Sequence, residues 1–188
     1  MDDRIFKTLR EMLTDRGLKG DTFEPVTPAP DETKMYNFGG MLIIYSTKTR
    51  VSTNDLSNFI VFAKENNYSA GTIIISETPI SEKVLSTLVN HISERENSLV
   101  QVFLMASLYF NISKHQLVPK QRIINDIERS TLAKKFPDFT KFPRILSQDA
   151  MAKYLGARPG DIVEVTGMCE TTAENKRWRI CVAETTNG

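Results

Sequence analysis

The sequence predicts an α/β (α+β) protein built in two parts, and three observations carry that prediction. Apolar runs of β-type residues at Met41–Tyr45, Gly71–Ile75 and Leu99–Leu108 alternate with amphipathic helical patterns. Strands buried on both faces of a sheet, with helices packed on it, read this way. Near Tyr109 the pattern changes to short half-buried alternation punctuated by proline and turn signals. The charge changes there too. Residues 109–188 hold 13 Lys and Arg against 9 Asp and Glu, which leaves 11 against 14 for residues 1–108. The expected organisation is an α/β domain over 1–108 and a small mixed α/β domain with a β-hairpin over 109–188.

Taken in order, Ile5, Leu9, Met12 and Leu13 recur at helical spacing, so residues 4–16 form an amphipathic helix stopped by Gly17. Residues 19–36 carry Pro25, Pro28 and Pro30 among polar side chains and read as a loop without packing of its own. After the strand at Met41, Ser52 or Asn54 caps a helix with Leu56, Phe59, Ile60 and Ala63 inward. After the strand at Gly71, Ser81 caps a helix carrying Val84, Leu85, Leu88, Val89 and Ile92, with Ile80 and Leu85 spaced as a hydrophobic staple. Leu108, Phe110 and Ile112 alternate with polar residues as a half-buried strand. Asn125 and Glu128 have capping-box spacing for a helix to about Lys135. Ser147 opens a short helix that Gly156 stops, and Arg158-Pro159-Gly160-Asp161 is a turn. Strands at Asp161–Gly167 and Lys176–Val182 form the hairpin, joined by Thr171–Asn175. In the second strand Trp178, Ile180 and Val182 share one face, and Arg177, Arg179 and Cys181 the other.

Composition excludes several classes. The chain has 188 residues, 40% hydrophobic and 25% charged, with net charge +1, which is ordinary for a soluble globular protein. There is no apolar run of the roughly 18–20 residues a membrane helix needs, and no signal-peptide pattern follows Met1. The expectation is an intracellular protein without membrane contact. Cys169 and Cys181 form no C-x-x-C pair and read as free packing thiols, with no metal framework. Gly39-Gly40 precedes its strand, so it is not a phosphate-cradling loop.

The candidates for chemistry are few. His91 reads as a helix-flank residue. His115 has no nucleophile or carboxylate motif around it and reads as a structural histidine bonded to backbone. The α/β layout of residues 1–108 is similar to the core of PD-(D/E)xK nucleases. That chemistry needs carboxylates converging on a divalent ion, with a lysine near the attacking water. Only Glu77 follows a strand, and Pro79 stands where the lysine would be. The scaffold is therefore expected to lack catalytic residues, metal and cofactor. Lys48, Arg50, Lys83 and the backbone at Thr78–Ser81 could face a phosphate backbone, although an ordinary solvated surface is the simpler reading of them. Two other classes stand as alternatives: a small metal-dependent nuclease, and a stand-alone nucleic-acid-binding adaptor that uses the basic C-terminal part.

A set of motifs in fixed order says more. Asn111-Ile112 is followed by His115-x-Leu117-Val118-Pro119, Phe142-Pro143-Arg144-Ile145 and Asp149. Then come Tyr154-Leu155-Gly156, Pro159-Gly160-Asp161-x-Val163, Glu170-Thr171 and Arg179-Ile180-Cys181. This order resembles the C-terminal domain of the fifth shared subunit of eukaryotic nuclear RNA polymerases, a domain that is similar to a small subunit of archaeal RNA polymerase. Asp15-Arg16-Gly17 and Thr78-Pro79-Ile80-Ser81 extend the resemblance over the N-terminal part, as in the two-part eukaryotic or viral form.

The resemblance implies a nuclear, non-catalytic subunit of a DNA-directed RNA polymerase. Its C-terminal domain would dock on the largest subunit and support assembly with the core. Its N-terminal domain would form part of the jaw near downstream duplex DNA. The implied DNA-proximal residues are Thr78, Pro79, Ser81 and Lys83. The implied assembly residues are His115, Leu117, Val118, Pro119, Lys120, Pro143, Arg144, Ile145, Gly156, Glu170, Thr171 and Arg179. Three departures point to a divergent lineage or a polymerase-specific paralogue. Gln121 stands where the family has His, no glycine follows Glu170-Thr171, and Ala183–Gly188 follow Arg-Ile-Cys.

Overall fold

The computed structural model describes residues 2–27, 29, 33–48, 50–167 and 175–183. The chain divides into two compact units, Met1–Asn111 and Ile112–Gly188.

The first unit begins with α1 (Asp3–Asp15), capped by Asp2, whose carboxylate accepts from the Arg4 N–H at 2.9 Å. Ile5, Leu9, Met12 and Leu13 are buried along it. A five-stranded sheet follows in the order β1 (Glu24–Val26), β2 (Thr33–Phe38), β3 (Met41–Ser46), β4 (Gly71–Ser76), β5 (Val100–Leu104). The pairs β1–β2 and β2–β3 are antiparallel, whereas β3–β4 and β4–β5 are parallel. Parallel neighbours need crossovers, which α2 (Thr53–Glu65) and α3 (Glu82–Ser93) supply. Leu42, Ile44, Ile74, Val100 and Val102 meet Leu56, Phe59, Val84 and Leu88 of these helices. Arg16, at the end of α1, donates to Gln101 Oε1 at 2.7 Å. Gln101 alternates with Val100 and Val102, so the end of α1 lies on the opposite face of the sheet. Coverage on both faces explains why β4 is buried at every position.

The structure corrects the sequence reading of this unit at three places. Residues 19–36 are not a plain loop, because β1 and the start of β2 lie there. Pro25 hid that strand, but β1 is a sheet edge, where a missing N–H costs no ladder bond. Gly39 and Gly40 form the β2–β3 hairpin turn with φ of +56° and +84°. Two successive positive φ angles suit a two-residue hairpin, and a Cβ on Gly39 would lie 2.6 Å from the Lys19 carbonyl oxygen. The apolar run to Leu108 stops hydrogen-bonding at Leu104. Met105–Leu108 and Ile112–Lys114 are single 3₁₀ turns, so the strand expected at Leu108–Ser113 does not form, and Phe110 is exposed.

The second unit is a four-stranded sheet in the order β6 (Lys120–Ile123), β8 (Ile162–Gly167), β9 (Asn175–Val182), β7 (Arg144–Leu146). β8 and β9 pair antiparallel, and β7 runs parallel to β9. α5 (Ala150–Leu155) covers one face, where Ala152, Ala157, Ile145, Val163 and Cys181 meet. α4 (Asp126–Lys135) covers the other, where Leu132, Ile124 and Ile162 meet Phe139, Phe142 and Trp178. The Asn125–Glu128 capping box opens α4, with the Glu128 N–H donating to Asn125 Oδ1 at 2.8 Å. The turn at Arg158–Asp161 closes with the Asp161 N–H on the Arg158 carbonyl, and Gly160 has φ +89°.

Two expectations change here. Asp149, not Ser147, caps α5: its Oδ1 accepts from the Met151 and Ala152 N–H groups at 2.9 and 3.4 Å, while Ser147 is buried and its N–H is bonded to the Val182 carbonyl. The alternation in β9 holds, but Cys181, on the arginine side, is the fully buried member because α5 covers that end. Cys169 and the expected loop 171–174 lie outside the described residues.

The caps give a paired expectation. Ser52 accepts from the Asp55 N–H at 3.2 Å in a full capping box, whereas Ser81 makes no side-chain cap bond. Ser52→Ala should lower the stability of the first unit by about 1 kcal/mol in urea denaturation, and Ser81→Ala should change it by much less. Equal losses would show that the side-chain bond at Ser52 is not what distinguishes the two caps.

Candidate interaction surfaces

The implied DNA-proximal turn follows β4. Ser76 Oγ donates to the Thr78 carbonyl at 2.7 Å and fixes the chain as it leaves the sheet. Pro79 and Lys83 are exposed, and Thr78 and Ser81 half-buried. The Ser81 side chain makes no cap bond to the amides that open α3. Two nearby acids are already engaged. Tyr45 Oη donates to Glu77 Oε1 at 2.6 Å, and that bond, with burial and the adjacent charge, pushes the tyrosine up to about 12. Lys48 Nζ lies 2.8 Å from Asp55. Burial pushes the Asp55 carboxyl up, but hydrogen bonds from Lys48 and Ser52 hold it at about 2. Lys48, a candidate for phosphate contact, is therefore committed to Asp55, while Arg50 is exposed. Among the described residues, no group of three His, Cys, Asp or Glu side chains could hold a metal ion. None of the helices of the described residues is long and apolar enough to cross a membrane.

In the second unit the motif at His115 is a tight double turn. The His115 N–H donates to the Ile112 carbonyl at 3.1 Å, and the Val118 N–H to the His115 carbonyl at 2.9 Å. The Leu117 N–H donates to His115 Nδ1 at 3.2 Å, so the neutral ring carries its proton on Nε2. The histidine is thus bonded to backbone. The turn thrusts Leu117 into solvent at 83% exposure. Pro119, Lys120, Pro143, Arg144 and Arg179 are exposed and Val118 is half-buried. Gly156 has φ +74° as the C-cap of α5, a conformation that favours glycine on backbone grounds alone. Ile145, implied as an assembly residue, is 4% exposed and belongs to the unit's own core. Glu170 and Thr171 lie outside the described residues.

Sequence reasoning passed over Arg122. Its guanidinium donates to both Glu128 oxygens at 2.8 and 2.7 Å and, through Nε, to Glu164 Oε1 at 3.0 Å. One side chain on β6 thereby ties the first turn of α4 to β8. Lys176 Nζ stands 3.7 Å from the same Glu164 oxygen. The hydrogen bonds from Arg122, and then from the Asn125 N–H, hold the Glu128 carboxyl at about 2, and the guanidinium is pushed up in return. Arg129 adds a second tie, donating to the Gly160 carbonyl at 2.8 Å. Only the capping-box acid at 128 signalled this cluster in the sequence, since its cation lies on a strand too short to show a period.

Because the folded carboxyl sits below its ordinary 4.5, its stabilisation is present above about pH 4.5 and is lost as pH falls towards about 2. In thermal melts, Arg122→Met should have a lower Tm at neutral pH and a flatter decline across that window than the unsubstituted chain. Parallel profiles would contradict the pairing.

Comparison with known proteins meets this geometry from outside. Residues 110–181 match the family described as RNA polymerase Rpb5, C-terminal domain. DNA-directed RNA polymerases I, II, and III subunit rpabc1 of Dictyostelium discoideum is 23% identical over 193 residues, covering 95% of this chain and 96% of that protein. DNA-directed RNA polymerase V subunit 5A of Arabidopsis thaliana is 28% identical over 74% of this chain, which spans only 61% of that relative. DNA-directed RNA polymerase subunit Rpo5 of Pyrococcus horikoshii is 37% identical over 76 residues, 40% of this chain and 93% of the archaeal protein. With nearly all of the archaeal protein matched at that identity, and the Dictyostelium protein matched almost end to end, this chain belongs to the family of RNA polymerase subunit 5.

Proposed function

We propose that this chain is a non-catalytic, nuclear subunit of a DNA-directed RNA polymerase whose active site lies in other subunits. Its relatives, named as polymerase subunits across an amoeba, a plant and an archaeon, support the reading. The observation that carries it is the surface made by the motif at residues 115–120. Backbone bonds hold the turn rigid, and it presents Leu117 to solvent. An apolar side chain held out on a preorganised turn loses little entropy on binding, which suits a permanent partner. The partner proposed is the largest subunit, met by His115, Leu117, Val118, Pro119 and Lys120, with Pro143, Arg144 and Arg179 as further contacts. Gly156 shapes the end of α5 behind them. In the first unit, Thr78, Pro79, Ser81 and Lys83 stand towards downstream duplex DNA, with the exposed charge of Lys83 and the amides opening α3, which Ser81 does not cap, facing the phosphates.

A tagged copy expressed in its host should co-purify with the two large polymerase subunits. Leu117→Ser should cut that recovery at least tenfold, as truncation of an interface anchor does, while leaving the Tm unchanged because the side chain buries nothing in the free chain. Recovery unaffected by the substitution, or isolation of the chain only as a free monomer, would sink the assignment.

A further inference from the structure

α4 does not fill its face of the second sheet. Between it and strands β8 and β9 lies a groove of about 260 Å³. Ile124, Leu132 and Trp178 form its apolar floor. Ile127, Thr131 and Lys135, one helical turn apart, form a wall. Ile127 is 79% exposed, extreme for an isoleucine on a helix whose next turns are buried at Leu132. None of these residues is among those assigned to assembly, although Trp178 shares β9 with Arg179.

The charges in the groove are unequal in a telling way. Glu128 and Glu164 line one end, but Arg122 lies 2.7 Å from the first and 2.9 Å from the second, so neither acid is left to answer. Lys135, at the other end, has no ion-pair partner among the described residues. What the groove offers is an apolar slot with an indole in its floor and one unanswered cation at its mouth. A nucleic-acid backbone binds through a row of cations, whereas among the described residues Lys135 alone stands as a cation in this lining, and it would gain nothing from Ile127 or Trp178. A peptide with a carboxylate beside an apolar side chain matches both features at once.

We propose that the groove between α4 and β8–β9 docks a short acidic–apolar peptide segment of a protein partner. One branched or aromatic side chain enters between Ile127 and Trp178, and a neighbouring carboxylate pairs with Lys135. This surface is distinct from the assembly turn at His115–Lys120, and a chain that failed to enter a polymerase would still bind such a peptide.

The probe is a randomised peptide library panned on the full chain, and the readout is the chain's only tryptophan, Trp178. The selected pool should carry an acid beside a large apolar residue and should shift Trp178 emission to the blue on saturation. Ile127→Ser, at a position too exposed to affect folding, should weaken the selected peptides about tenfold, and panning against Lys135→Glu should select basic residues instead. A pool without acids, or binding that Ile127→Ser leaves unchanged, would overturn the proposal. So would selected peptides that leave Trp178 emission unmoved, or concentration-dependent self-association abolished by Ile127→Ser, which would give the groove to a second copy of the chain.

Discussion

The second unit depends on the guanidinium of Arg122. Its sheet must be covered on both faces, and among the described residues the α-helices that do so have ten and six residues. Of α4, only Leu132 is buried, which is too little apolar surface to fix a helix on a sheet by itself. The fork of Arg122 supplies the missing constraint, gripping the first turn of α4 with one edge and β8 with the other. Glu164 is only 8% exposed, so its charge is tolerable there because two cations stand against it. The same arrangement leaves the wall of α4 clear of the sheet and opens the groove beside Trp178.

The first unit solves its problem differently. Strands buried on both faces need no ionic clamp, because α1 on one side and α2 with α3 on the other exclude water from Ile43, Ile44, Ile73 and Ile74. Polar bonds fix the loops at the ends of the strands, at Tyr45–Glu77, Lys48–Asp55 and the Ser76–Thr78 turn, and Arg16–Gln101 ties α1 to β5. An α/β layer that spends its polar groups on fixing loops is a rigid platform for a surface. That suits the proposed role of a polymerase subunit that holds a position within a larger enzyme.

The long elements were legible in the sequence because they have a period. Leu56, Phe59 and Ala63 announce α2, and the runs at Met41 and Gly71 announce β3 and β4. Most of the failures were short or edge elements, and the start of β2, an interior strand, was lost in the same proline-rich stretch. β1, β6 and β7 have three or four residues, fewer than two repeats of a strand period, and Pro25 argued against the first of them. The run from Leu99 misled because apolarity marks burial, and a buried 3₁₀ turn after β5 is as apolar as a strand. Of the implied site, His115 and Leu117 lie on the surface as an interface requires, whereas Ile145 does not, since neighbours in a three-residue strand face opposite ways. Arg122 and the α4 groove were invisible because they are made by elements far apart in sequence.

The decisive question is whether the surface around Leu117 is turned inward in an assembled polymerase. Chemical cross-linking with mass spectrometry on polymerase isolated through a tagged copy of this chain tests that directly. A docked turn predicts cross-links from Lys120 and Lys114, which flank the motif, to the largest subunit. Recovery of the tagged chain without the largest subunit, or a complex in which neither lysine cross-links to that subunit, would contradict it.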